Sequence, residues 1–258
     1  MTTMSRAARH REYLQALGID VYVRRGITSA PVEPAATPEP ALDVTPSLPS
    51  ASRPTAGSRG PEADLDWDSL ATAVAACERC ELHCTRTQTV FGRGDRRARW
   101  LVVGEAPGAE EDRQGEPFVG RAGQLLDTML RALGLARGEV YIANVLKCRP
   151  PGNRDPSADE ARLCRGYLDR QIELVDPTLI LAVGRIAAQN LLGTDSPLGK
   201  LRGRVHSLGA ARRPVVVTYH PAYLLRSPGE KRKAWADLVF ARQVFRDAGA
   251  GALAGAAG

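Results

Sequence analysis

The 258-residue chain has no apolar run near the roughly 20 residues of a membrane span. Its N-terminus carries scattered arginines without an apolar core stretch, so no secretory signal is expected. The five cysteines are an odd count, which argues against a disulfide framework. A chain of this length builds a core without cross-links. Membrane and disulfide-rich secreted classes are thereby set aside, and the cytoplasm is the expected location. In that reducing compartment cysteines read as metal ligands, catalytic thiols or small buried hydrophobes. Neither G-x-G-x-x-G nor a Walker A Lys-Ser/Thr follows the first apolar run, which speaks against a nucleoside-triphosphate site. Hydrophobic residues at 43% and charged residues at 25% are ordinary for a globular protein, with a formal net charge of +6.

Composition divides the chain. Residues 1–27 are short and basic, with Tyr13, Leu14 and Leu17 at helical spacing before Gly18. They read as a small appended element or as a docking peptide for an unknown partner. Residues 28–66 hold eight of the chain's 18 prolines, between Pro31 and Pro61, and no aromatic residue or cysteine. Such a stretch buries too little apolar surface to offset its ordering entropy and reads as a disordered linker. Residues 67–247 read as the globular domain, and 248–258 as a flexible Gly/Ala tail.

Within the domain, apolar runs at Trp100–Val103, Val140–Val145, Leu179–Val183 and Val215–Tyr219 predict four strands. Helical spacing predicts helices between them. One runs from Leu125 to Leu133 and stops at Gly134, and one opens at Ser157 with Glu160 in a capping box. Others cover Ile186–Leu192 and about 230–245. Strands alternating with helices imply an α/β fold with a mainly parallel sheet covered on both faces. Ligands of such sheets bind past the carboxyl ends of the strands. Glu105, Asn144, Gly184 and His220 follow or end the four strands, so an acid, an amide and an imidazole are expected along one rim.

Three further features carry chemistry. Cys77 and Cys80 form C-x-x-C, Cys148 follows the second strand, and Cys164 lies on the next helix. Four thiolates suit a structural zinc or a [4Fe–4S] cluster; the spread second pair favours the bulkier cluster, and unligated buried thiols are the plain alternative. Cys84 has no obvious partner. The Gly104–Gly108 loop, stiffened by Pro107, offers Glu105 to a water, while Glu110, Glu111 and Asp112 suit a solvated helix start. Residues 200–233 hold nine Lys or Arg against one acid, Glu230, a local excess of +8 that fits a phosphate backbone. Inside it, Leu224 and Leu225 beside Arg226 read either as a wedge for a base stack or as leucines folded into the core.

These residues together resemble the family 4, iron–sulfur, uracil-DNA glycosylases over roughly residues 74–247. The likeness runs through Cys77-x-x-Cys80, Phe91–Gly94, Gly104-Glu-Ala-Pro-Gly108 with Glu111-Asp112, and Pro117-Phe-Val-Gly120. It continues through Asn144–Arg154 and His220-Pro-Ala-Tyr-Leu-Leu-Arg226. The resemblance implies a three-layer α/β/α fold with a four-stranded parallel sheet, and a structural [4Fe–4S] cluster on Cys77, Cys80, Cys148 and Cys164. It implies a monomer that flips uracil out of DNA and hydrolyses its N-glycosidic bond, leaving an abasic site. Implied roles are Phe118 stacking on the base, Asn144 reading its Watson–Crick edge, and His220 bonding uracil O2. Glu105 holds the water, with Ala106, Glu111 and Asn153 lining the site and Leu224, Leu225 and Arg226 contacting DNA. Family 1 carries an Asp where Ala106 stands, so here Glu105 and the electrostatics of the site carry that role. A uracil-trapping relative has a basic insertion that Cys148–Arg154 has no room for, so turnover is expected. No lysine nucleophile falls at the rim, so no strand cleavage is expected. A non-catalytic iron–sulfur DNA-binding module and a glycosylase for hypoxanthine or xanthine are the competing readings.

Overall fold

A computed structural model of the chain describes residues 60–255. The basic N-terminal segment, nearly all of the Pro/Ala-rich segment and residues 256–258 lie outside them. The described chain opens with a turn over 60–66, in which Glu62 is buried and ion-paired with Arg79. Asp66 then caps helix α1 (Trp67–Ala75) by accepting the Ser69 N–H at 2.8 Å.

Six strands form one sheet: β1 (Arg93–Gly94), β2 (Trp100–Gly104), β3 (Val140–Asn144), β4 (Leu179–Val183), β5 (His206–Leu208) and β6 (Arg213–Thr218). Their order is β1-β3-β2-β4-β6-β5. The inner four are mutually parallel, as the apolar runs predict. The sheet is nonetheless mixed and larger than the four-stranded one expected, because β1 and β5 add antiparallel edges. Both edges are short and polar, which is how natural sheets blunt an edge, and neither leaves an apolar signature.

Strand side chains alternate between two cores. Val102, Ile142, Leu181 and Val216 face one side, under α3 (Arg121–Ala132) and α8 (Lys231–Gly255). Leu101, Ala143, Ile180 and Val217 face the other, under α4 (Ala158–Val175) and α5 (Arg185–Leu192). Each large aliphatic side chain so buried contributes about 1.5–3 kcal/mol. Ser157 caps α4 with the expected reciprocal box, Glu160 N–H to Ser157 Oγ at 3.1 Å and Ser157 N–H to Glu160 Oε2 at 2.8 Å. Short helices α2 (Ala109–Gln114), α6 (Leu198–Leu201) and α7 (Pro221–Arg226) complete the α-helices among the described residues. Helix α8 continues to Gly255, beyond the expected end near Phe245, through alanines that favour helix. Among the described residues no helix is long and apolar enough to cross a membrane.

Two chain reversals matter for the site. From β2 the chain moves outward to β3, then returns across β2 to β4. The crevice at that switch, past the carboxyl ends, is where open α/β sheets bind ligands.

Candidate active site

A cavity of about 390 Å³ opens there. Glu105, Ala106, Glu111, Phe118, Asn144, Asn153, His220 and Arg226 all line it, so the structure brings together residues spread over 120 positions of sequence. Register explains the first pair: Gly104 sits opposite Asn144 in the β2–β3 ladder, so the loop carrying Glu105 starts beside the amide. Backbone bonds from Val145 N–H to Gly104 O at 2.9 Å and from Leu146 N–H to Glu105 O at 3.0 Å prolong that pairing past the strands.

Asn144 is 2% exposed, and its Oδ1 is buried with no hydrogen-bond partner in the protein. A buried carbonyl left open this way costs about 1–3 kcal/mol unless a ligand donor arrives. Phe118 stands beside it in a left-handed backbone conformation, φ 54°, a strain that persists only where surroundings enforce it. Several constraints enforce it. The Arg137 guanidinium donates to Pro117 O, and Glu111 accepts the Val119 and Gly120 N–H groups at 3.0 and 3.1 Å. Glu111 also accepts the Gly108 N–H at 3.1 Å, so one carboxylate ties the Glu105 loop to the Phe118 loop. Glycine is required at 104 by close approach: a Cβ there would stand 2.6 Å from the Phe118 ring and nearer still to Asn144 Oδ1.

His220 ends the β6 segment and caps α7, its Nδ1 accepting the Ala222 N–H at 3.1 Å. That bond fixes the neutral tautomer with its proton on Nε2. Burial, helped by the Arg226 charge and opposed by Glu111, pulls the imidazole down to about 4, so it is neutral at pH 7. Its ring stacks near Phe118, centroids 5.6 Å apart at 30°. Glu105 is shifted the opposite way. Burial pushes its carboxyl up to about 7, Asp155 adds to the rise, and Arg185 opposes it. A neutral donor and a carboxylate poised near neutrality thus face one cavity, the pairing expected of acid–base work.

The expected Leu224–Leu225 pair separates. Residues 221–226 are helix α7 rather than a loop, and helical spacing turns Leu224 into the core at 1% exposure while Leu225 stays 37% exposed. Leu224 is therefore a packing residue and no wedge. The exposed apolar groups here are Leu225 and Tyr223, and Tyr223 lines the cavity with its ring stacked on Tyr219 at 5.3 Å. The basic stretch is likewise divided. Arg202 is taken by Asp237 at 2.6 Å, Arg213 by Asp176 at 2.8 Å and Lys233 by Glu230 at 2.8 Å. Arg212 sits at the amino end of β6, roughly 20 Å from the rim at about 3.3 Å per residue. Of the nine Lys and Arg in that stretch, Arg226 alone lines the cavity.

A second cavity lies behind the first. Cys77, Cys80, Cys148 and Cys164 all line it, whereas Cys84 is exposed, with its Sγ 3.4 Å from His83 Nε2. Donors already point at the sulfurs: Arg86 Nη1 at Cys148 Sγ, 3.2 Å, and the Lys147 N–H at Cys164 Sγ, 3.3 Å. Such N–H···S bonds are what anionic, metal-bound sulfur takes. Among the described residues no group of three or more His, Cys, Asp or Glu side chains is arranged to hold a metal ion. The four cysteines lining this space are the donor type that a bound metal ion or an iron–sulfur cluster takes.

The family model of the uracil DNA glycosylase superfamily matches residues 91–239. The chain belongs to that superfamily. Its relatives include the Type-4 uracil-DNA glycosylase of Archaeoglobus fulgidus, 44% identical over 62% of this chain and 84% of the relative. The Type-4 enzyme of Thermotoga maritima is 46% identical over 60% and 80%, and that of Pyrobaculum aerophilum 41% identical over 67% and 92%. The family 4 resemblance seen in the motifs is thus matched over most of the relatives' length.

Some residues of the superfamily pocket escape a reading by strand ends. Arg154 and Asp155 line the cavity from the turn after the cysteine motif, and Arg185 pairs with Asp155 at 2.6 Å. Arg185 directly follows Gly184, so the rule that selects His220 would have selected it too. Tyr223 stood in a quoted motif without a role.

Proposed function

We propose that this chain is a monofunctional uracil-DNA glycosylase, removing deaminated cytosine from DNA as the first step of base excision repair. The observation that carries the reading is the unpartnered Asn144 Oδ1, buried in the cavity that Phe118 and His220 also line. Uracil supplies the missing partner. Its N3–H donates to Oδ1 while its O4 accepts from the side-chain amide N–H. Cytosine offers an acceptor at N3 and a donor at N4, the reverse of what this orientation of the amide satisfies.

The target is reached by flipping the nucleotide out, at a cost of roughly a few kcal/mol. Phe118 stacks on the everted base. Exposed Leu225 and Tyr223, with Arg226, meet the DNA at the cavity mouth; these replace the leucine pair of the sequence reading. As the C1′–N1 bond breaks, its electron pair moves into the pyrimidine and collects on O2. The neutral His220 Nε2–H donates to that oxygen. Developing charge met by a fixed donor is usually the largest catalytic contribution. Glu105, ionised above about pH 7, orients the water whose oxygen bonds to C1′ and accepts its proton. Ala106 offers no acid, so Glu105 is the carboxylate that the 104–108 loop brings to the cavity; the Glu111 oxygens are engaged by backbone N–H groups and Asp155 is paired with Arg185. Asn153 is held by Arg149 at 2.8 Å and shapes the phosphate side of the mouth.

The four cavity cysteines would hold a [4Fe–4S] cluster. That group supplies a rigid inorganic brace and takes no part in bond cleavage. A globular unit over 67–247, acting as a monomer in the cytoplasm, fits this work.

One sample tests the reading. Purified protein is assayed for iron and sulfide, then incubated with single- and double-stranded oligonucleotides containing uracil, hypoxanthine or xanthine and treated with alkali. Alkali-labile sites only at uracil, with no cleavage before alkali, are expected. Tight DNA binding without any labile site would instead favour the non-catalytic module, and sites at the purines the altered-base reading.

A further inference from the structure

Lys147 is the largest fully buried side chain, 1% exposed, and neither cavity's chemistry as described uses it. Its Nζ donates to Asn144 O at 2.9 Å and to Gln171 Oε1 at 2.6 Å. Both partners are neutral. An ammonium taken out of water needs an anion, or it costs several kcal/mol. Among the described residues no carboxylate pairs with it, and the thiols of Cys148 and Cys164 line the same cavity. Its own N–H donates to Cys164 Sγ, and it lines the cysteine cavity. Gln171 is held in turn, donating to Phe91 O at 2.8 Å and to the Tyr141 hydroxyl at 3.3 Å.

Residues 144–148 therefore connect two sites within five positions. Asn144 faces the base cavity, Cys148 faces the sulfur cavity, and Lys147 folds back across the segment to grip the Asn144 carbonyl. We propose that Lys147 is a positioning residue whose ammonium is at once the counter-ion of the cluster-bearing thiolates and the clamp that sets the Asn144 amide against uracil. Occupancy of the sulfur cavity and accuracy of base reading are then linked through one side chain. The inference rests on the glycosylase reading above and extends it to a residue outside the lining of the base cavity.

The test uses full-length holoprotein, its iron and sulfide measured, with Lys147→Met and Lys147→Arg. Lys147→Met removes the charge and both bonds at similar length. Expected is a kcat lowered about a hundredfold with KM for the DNA held within about threefold, the signature of a misplaced group rather than lost DNA binding. Inhibition by free uracil should weaken about tenfold, because the amide is displaced. The cluster midpoint potential should move negative, since a nearby positive charge favours the reduced state. Lys147→Arg should keep the midpoint near wild type. Should Lys147→Met fail to fold, Gln171→Leu, which removes one acceptor and no charge, carries the catalytic test alongside Lys147→Arg. Wild-type kcat and uracil inhibition in Lys147→Met, or in Gln171→Leu where that variant stands in, overturns the clamp. An unchanged midpoint in Lys147→Met overturns the counter-ion. Wild-type protein that releases no uracil defeats the glycosylase reading instead, and the two failures are told apart in the same assay.

Discussion

The base cavity and the sulfur cavity are near neighbours that differ in lining. The base cavity is open, lined by an acid, an amide, an imidazole and arginines, with a buried acceptor left waiting. The sulfur cavity is lined by Leu82, Leu146 and Tyr167 beside its cysteines, and donors already point at two of them. A ligand that enters and leaves needs unpaired groups and a path to water. A resident group needs enclosure and prearranged hydrogen bonds. The difference teaches that one short segment, 144–148, serves both demands, because its two ends face different spaces.

The comparison can be broken most forcefully at Asn144. Asn144→Ala removes the base-reading acceptor, and uracil release should fall about a thousandfold, near 4 kcal/mol, while iron content stays at the wild-type level. Iron lost together with activity would mean that the two cavities are not separable. Leu224→Ala probes the region between core and mouth. It should destabilise folding by about 3 kcal/mol in denaturant titration, as a buried leucine does. A stable variant with impaired DNA binding would restore the wedge reading.

Glu105→Gln should lower kcat about a hundredfold and change the pH profile. In the wild type the carboxyl is raised to about 7, so the active, ionised form accumulates as pH rises through that value and is lost below it. His220 is neutral throughout this window and adds no limb above about pH 5, because its imidazole is lowered to about 4. The limb near 7 should vanish in Glu105→Gln; its persistence would assign it elsewhere. Leu225→Ala, exposed at the mouth, should leave stability within about 0.5 kcal/mol and affect only duplex substrates. An equal loss on single strands would argue against a role in filling the duplex.

Much of the fold was legible in sequence. The four inner strands and the capping box of α4 were readable because parallel buried strands are continuous apolar runs and caps are local chemistry. Strands β1 and β5 were not, being two and three residues long with polar composition; their partners, not their side chains, make them strands. Glu105, Asn144 and His220 were visible as residues at or just past strand ends. The fate of Leu224 was not, since a one-residue turn of a short helix decides which leucine is buried. The surplus of charge in 200–233 is smaller in the fold than in the sequence, because Asp237 and Asp176, which pair with two of its arginines, lie outside it.

Local pattern thus established the four inner strands and which residue types stand at their ends, because those depend on neighbours along the chain. Only the folded chain decided that Asn144 keeps an unanswered acceptor, that Glu105 is held near neutrality and that Lys147 spans two cavities. Each of those depends on burial and on partners distant in sequence, and solvent exclusion is a property of the packed whole.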